Sequence, residues 1–240
     1  MELNCDLGEG YGKYQVGNDI QIIPLVDAVN IACGFHAGDV NTMKLTVQLA
    51  KKHNVRIGAH PGFQDLQGFG RRKIDMDTSE IYGIILYQLG ALSAFTKAQH
   101  TKIHHVKPHG ALYNMACEDK SIAQSIAQAV YDFDPGLILY GLADSRLTEA
   151  GEHIGLSVAH EVFADRTYQP DGTLTPRSEE NAIIHRTEDA LKQIQLIRKE
   201  QAVVATNGQR IKIKADTVCV HGDTPEAIEY VQKLRKYIKP

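Results

Sequence analysis

LNCDLGEGYGKY, residues 3–14, starts as a short apolar strand and breaks at Asp6 into a loop with glycines at 8, 10 and 12. Two phosphate-binding readings fail here. A Walker loop requires G-x-x-x-x-G-K-[ST], so that backbone N–H groups wrap the phosphates and a hydroxyl reaches magnesium. Gly12-Lys13 is followed instead by Tyr14, and Leu7 stands where the first glycine belongs. The dinucleotide pattern G-x-G-x-x-G fails as well, because Lys13 occupies the third glycine position after Gly8 and Gly10. What remains is a strand that delivers a carboxylate, Asp6, at its exit. Glu9 follows a turn later, among glycines that let other groups approach closely.

The same arrangement recurs along the chain. Short runs rich in β-branched residues, ELNC, DAVNIAC, VRIGA, KIHHV, LILY, LSVAH and DTVCV, alternate with segments of helical periodicity. That alternation predicts an α/β protein with a parallel sheet. Nearly every run ends in a polar cluster followed by glycine or a helix cap: Asp6, His36 with Asp39, His60, Lys107 with His109, Glu161, and His221 with Asp223. In parallel barrels and open α/β sheets the C-terminal strand ends share one rim, where sites are assembled. These residues are therefore expected to converge despite their spread in sequence.

Helix signals lie between the runs. Asp39 caps a predicted helix through His53, Thr78 a second one to about Gln99, and Ile122, Ile126 and Val130 mark a third. The last helix is expected to begin at Asp223-Thr224-Pro225 and to bury Ile228, Val231 and Leu234. VVATNGQRIKIK breaks the alternation, since Asn207-Gly208 between two strand-like arms signals a two-residue hairpin turn. Without repeats or linkers, the 240 residues read as one domain, 1–240.

Composition narrows the function. A net charge of −3 with scattered lysines and arginines argues against a nucleic-acid or membrane surface and favours a small soluble substrate. Cys5, Cys33, Cys117 and Cys219 form no C-x-x-C pair and read as buried thiols in a reducing compartment. No secretory leader or membrane-length apolar run is visible, so a cytoplasmic protein is expected.

Taken singly, a strand-end histidine is more often a hydrogen-bonded structural group than a catalyst, and Asp6 could simply close an Asx turn. Several such residues on one rim reverse those odds. Asp6, His36, Lys107 and Glu9 are the candidate catalytic groups. Lys107 within VKPHGA sits at an odd place for a lysine that only confers solubility. Arg71-Arg72 and Arg166 are candidate clamps for a carboxylate or phosphate, weighed about equally against loop-fixing salt bridges with Asp65 or Asp165. Glu161 and His221 complete the substrate-binding candidates. Two chemistries remain open. In one, Asp6, His60 and His109 bind a divalent metal that acidifies a water. In the other, Asp6 or a histidine is a general base while Lys107 and a histidine stabilise an oxyanion.

NCDLGEGYG, NIACGFHAGD, IGAHPGF, GFGRR, HVKPHGALYN, EVFADRTY and VCVHGD resemble, in order and spacing, the LamB/YcsF family. The resemblance runs from the first residues to the last helix. It implies a seven-stranded β/α barrel similar to the polysaccharide-deacetylase and YdjC-like fold, whose members hold a metal with one aspartate and two histidines. By position, Asp6, His60 and His109 resemble that set. The resemblance also implies the A component of an ATP-dependent 5-oxoprolinase, which opens 5-oxoproline to glutamate together with subunits B and C. ATP would then be consumed by the complex and not bound by this chain alone, in keeping with the missing phosphate loop. A homodimer is compatible with this reading. The competing functions are a stand-alone metal-dependent deacetylase of amino sugars and a non-catalytic module that binds partner subunits. The lack of tryptophan disfavours the first, and the full set of rim residues disfavours the second.

Overall fold

The computed structural model of the chain describes residues 1–221 and 227–238, the side chains of residues 221 and 227 excepted. The elements run in order β1 (Glu2–Leu7), α1 (Asp19–Ile22), β2 (Ala28–Ala32), α2 (Val40–Lys52), β3 (Arg56–His60), α3 (Thr78–Ala98) and β4 (His105–Val106). They continue with α4 (Gly110–Glu118), α5 (Lys120–Phe133), β5 (Ile138–Leu142), α6 (Arg146–Ile154), β6 (Ser157–Phe163) and α7 (Thr187–Glu200). The chain then forms β7 (Ala202–Val204), β8 (Arg210–Lys212), β9 (Thr217–His221) and α8 (Ala227–Ile238). Among the described residues, seven parallel strands close a barrel in the order β1-β2-β3-β4-β5-β6-β9, as expected from the resemblance. The expected start of the last helix at 223–225 lies outside the described residues. Among the described residues, no helix is long and apolar enough to cross a membrane.

Each strand alternates between two environments. Leu3, Cys5 and Leu7 of β1, Val29 and Ile31 of β2, and Val218 and Val220 of β9 are buried in the apolar core cluster. Residues of the other parity meet inside the barrel and are largely polar: Asn4 with Thr217 and Glu161, Asn30 with Asp6, and His105 with Asn30. Every polar group there has to be partnered, because a buried unpaired one costs about 1–3 kcal/mol. The parallel register sets these meetings by pairing Asp6 with Asn30, Asn30 with Gly58, and Gly58 with His105.

Helix starts follow their caps. The Asp39 carboxylate accepts the backbone N–H groups of Asn41 (2.9 Å) and Thr42 (2.8 Å), as its sequence position predicts. For α3 the N-cap is Asp77, one residue before the expected Thr78, and the Glu80 carboxylate accepts the Asp77 N–H at 3.1 Å. The β7–β8 hairpin also departs from expectation. Ala205 donates to the carbonyl of Gln209 and Gly208 to that of Ala205, each at 2.8 Å, so the loop is longer than two residues. Only Gly208 takes a positive φ (84°), which fits a turn ending in a glycine bulge; a two-residue type I′ turn needs Asn207 there too.

Gly58 leaves the space that His105 fills, since a Cβ at this position would lie 2.1 Å from His105 Nε2. Gly58→Ala should therefore force the ring away from Asn30 and destabilise the protein by about 1–3 kcal/mol. Chemical denaturation checks this; a change under about 0.5 kcal/mol would mean that the ring is not confined as described.

Candidate active site

Six buried residues converge at the C-terminal mouth of the barrel. Asp6, His60 and Lys107 arrive on or just after β1, β3 and β4, while the following loops add Glu9, His36 and His109. The cavity floored by Asp6, Glu9, His60, Lys107 and His109 holds about 360 Å³ and is walled by Arg71, Lys73, Tyr113, Phe163, Arg166 and Arg177, with His36 packed behind His109. A larger space of about 700 Å³ beside the outer face of β6, lined by Glu152, His160 and Lys214, contains none of the six. The site is placed in the smaller cavity because the ionisable groups converge there.

Lys107 ties the floor together. Its Nζ lies 3.0 Å from Asp6 Oδ1, 3.0 Å from Glu161 Oε1 and 3.0 Å from Cys219 Sγ. Three acceptors match the three N–H bonds of an ammonium. Burial alone would discharge this lysine, but Asp6, Cys219 and Glu161 hold its pKa well above the ordinary lysine value. Glu161, fully buried, also accepts from Asn4 (3.0 Å) and from the Tyr113 hydroxyl (2.8 Å). Asp6 Oδ1 is further held by Asn30 Nδ2 at 2.7 Å, whereas Oδ2 lies 3.4 Å from His60 Nε2.

The two rim histidines have their protons placed by the backbone. His60 Nδ1 is 2.7 Å from the Lys107 carbonyl, and His109 Nε2 is 2.8 Å from the Phe69 carbonyl. A carbonyl only accepts, so both of these nitrogens carry hydrogen. In neutral rings the other two nitrogens, His60 Nε2 and His109 Nδ1, then present lone pairs to each other across 2.9 Å. Such a contact requires a cation between them, a proton or a metal. Burial and the neighbouring His60 push the His109 pKa well below the ordinary histidine value, so His109 is not the ring that would carry such a proton.

His36 stacks on His109 with ring centroids 3.7 Å apart and planes within 3°. Both of its ring nitrogens are buried without a hydrogen-bond partner. Burial first, then His109 and His60, lower its pKa well below the ordinary value, so it is neutral near pH 7. The packing is close. Gly70 has a φ of +64°, and a Cβ there would lie 2.7 Å from the His36 Cβ and 2.8 Å from His109 Cδ2.

The remaining candidates divide. Arg71 lines the cavity and stacks over Phe69, its guanidinium carbon 5.0 Å from the ring centroid. Arg72 is paired with Asp65 and lies outside the cavity lining, which favours its loop-fixing role. Arg166 lines the cavity while donating to the carbonyls of Ala182 (3.2 Å) and Thr175 (2.5 Å), thereby holding the covering loop. Burial and nearby Arg177 lower its pKa to about 10, leaving it charged at neutral pH. Glu161 lies beneath the cavity as a partner of Lys107 instead of lining it. The His221 side chain lies outside the described residues, although its backbone pairs with Asp6. Asn30, Lys73 and Tyr113 were missed as site residues. Strand alternation could have flagged Asn30, which shares a barrel-facing parity with Ala28 and Ala32.

A sequence model of the LamB/YcsF family matches residues 1–240. The A component of 5-oxoprolinase from Staphylococcus carnosus (strain TM300) is 58% identical over 236 residues, covering 98% of this chain and 94% of the relative. The protein of the same name from Staphylococcus aureus (strain Newman) is 54% identical over 238 residues, covering 99% of this chain and 95% of the relative. The crystal structure of a lactam utilization protein from Thermus thermophilus superposes with a TM-score of 0.93. It is 44% identical and covers 100% of this chain and 96% of that one.

Lys107→Met should destabilise the protein by about 3–5 kcal/mol at neutral pH, because it leaves Asp6 and Glu161 buried without their ammonium. Urea denaturation at neutral pH tests this, and a loss under about 1 kcal/mol would show that the ammonium is not what holds the two acids.

Proposed function

The chain belongs to the LamB/YcsF family, and on that premise we propose that it is the A component of an ATP-dependent 5-oxoprolinase, opening 5-oxo-L-proline to L-glutamate. The observation that carries the reading is one cavity with an oriented carboxylate, Asp6, at its floor and Arg71, Lys73, Arg166 and Arg177 along its wall. A hydrolase for a small anionic lactam needs both. The names of the relatives from the two staphylococci and from Thermus support that substrate class.

In this reading Asp6 Oδ2 takes a proton from water as the water adds to the lactam carbonyl carbon. The ring C–N bond then breaks, and the proton passes to the departing nitrogen. Lys107 is a positioning residue. With all three N–H bonds committed, it holds and aims the Asp6 carboxylate, a change from the oxyanion role its sequence position suggested. The cationic wall binds the substrate carboxylate and any phosphate on the activated carbonyl. Among the described residues, Glu9, His60 and His109 fit a divalent ion, because two imidazole lone pairs meet across 2.9 Å with the Glu9 carboxylate close by. Such an ion would supply Lewis acidity at the carbonyl oxygen or at water.

A five-membered lactam recloses readily, so its opening has to be driven. We assign that step to partner subunits B and C, which would use ATP to phosphorylate the lactam oxygen; water addition and C–N cleavage then give γ-glutamyl phosphate, and a second water hydrolyses it to glutamate and phosphate. We also place the complex in the cytoplasm, consistent with four free, buried cysteines.

The test is to mix the purified chain with subunits B and C, ATP and 5-oxoproline and to assay glutamate. Glutamate should form only in the full mixture, and Mg-ATP should not bind the isolated chain at micromolar concentration. Asp6→Asn should lower glutamate release by about a hundredfold or more while the fold is kept. Near-normal turnover in that variant would remove Asp6 from the chemistry.

A further inference from the structure

The six rim residues offer two carboxylates to a metal ion, and the two are not equivalent. Asp6 lies beside His60, but its Oδ1 is shared between the Lys107 ammonium and Asn30. An acid already holding an ammonium is a weaker donor to a second cation. Glu9 approaches from the other side, with Oε1 4.0 Å from His109 Nδ1 and 3.9 Å from His36 Nε2. Among the described residues, the donor atoms of Glu9, His36, His60 and His109 all lie within 4.8 Å of one another, a set that does not include Asp6.

We infer that the chain carries a divalent-metal site whose carboxylate donor is Glu9 and whose imidazole donors are His60 Nε2 and His109 Nδ1, with Asp6 outside the ligand set. The backbone has already prepared both imidazoles. Each donates its remote N–H to a carbonyl, Lys107 for His60 and Phe69 for His109. Metal-bound histidines nearly always make this second contact, since it fixes the tautomer and the ring plane. His36 adds an independent observation, being 1% exposed with no hydrogen bond to either ring nitrogen.

His36 is not a donor in its present orientation. A metal lies in the plane of the imidazole that binds it, and the His36 and His109 planes are parallel and stacked at 3.7 Å. An ion in the His109 plane cannot lie in the His36 plane as well, so His36 joins only after its ring turns. The resting site thus has three protein donors, two nitrogens and one oxygen, the pattern of catalytic zinc sites that leave a position open. Freed from the metal, Asp6 remains available to take a proton.

The experiment titrates the metal-free chain with zinc and with cobalt(II), using calorimetry for affinity and the visible absorption of cobalt for geometry. No substrate or partner protein is needed, so failure here and failure of the 5-oxoprolinase reading are separate results. The wild type should bind one equivalent and show the intense bands of four- or five-coordinate cobalt. Glu9→Gln should weaken binding by at least about tenfold and shift the cobalt spectrum. Asp6→Asn should stay within about threefold of wild type with its spectrum unchanged. Glu9→Asp, which keeps the charge on a shorter stem, guards against a folding defect and should fall between wild type and Glu9→Gln. Asp6→Asn losing the ion while Glu9→Gln keeps it would overturn the assignment. So would a wild type that binds neither metal, in which case the histidine pair shares a proton.

Discussion

The Lys107 ammonium between Asp6 and Glu161 is the interaction on which the barrel and its site both depend. At an effective dielectric of about 20, opposite charges 3 Å apart attract by roughly 5 kcal/mol. That attraction has to offset a desolvation cost of several kcal/mol for each buried ion. It succeeds here because further hydrogen bonds reach both acids and the ammonium. Asn30 and Asn4 donate to the two acids, Tyr113 adds a hydroxyl, and Cys219 takes the third ammonium hydrogen. The partners come from β1, β2, α4, β6 and β9, so this one charge cluster joins distant parts of the chain.

A polar barrel interior explains both what the sequence disclosed and what it hid. The strand runs were legible because their outward residues are apolar and pack under helices, as Leu3, Cys5, Val29, Ile31, Val218 and Val220 show. The rim was legible because Asp6, His60, Lys107 and His109 end those runs. Pairing was not. Whether Lys107 meets substrate or two acids depends on which residues of β1 and β6 share its level, and register appears only when the strands are assembled. Arg72 shows the same limit: Asp65 seven residues earlier captures it, while Arg71 next door reaches the cavity. Asn30 escaped notice because an asparagine inside an apolar run looks like an interruption, when it is in fact the hydrogen-bond donor that aims Asp6.

Glycine supplies the precision at the rim. Rings of three histidines fit within one small volume only because glycines, Gly62 and Gly70, stand where the loops pass closest to them. Gly70 both tolerates a left-handed backbone and leaves room for His36 and His109, and its carbonyl accepts the N–H of Ala111 at the start of α4. GFGRR and VKPHGALYN are thereby docked onto each other, although they stand far apart in sequence. The Phe69 carbonyl that fixes the His109 tautomer belongs to the same turn. Loop packing therefore sets proton placement, which no reading of residue types could supply.

On the proposed function, the distribution of charge also accounts for how one cavity would tolerate an anionic substrate beside Asp6. At 4 Å and an effective dielectric of about 20, two like charges repel by roughly 4 kcal/mol, enough to weaken binding nearly a thousandfold. The protein separates the two functions in space. Asp6 at the floor is compensated from below by Lys107 and Asn30, and the arginines and lysine stand along the wall and in the covering loop. An anion held at that wall can bring its carbonyl toward the floor without placing its own charge on Asp6. Arg166 serves this division twice over, because the same guanidinium that faces the cavity binds the carbonyls of Thr175 and Ala182. The loop carrying Arg177 is thus fixed by the residue it helps to position, and the cationic wall is in place before any substrate arrives.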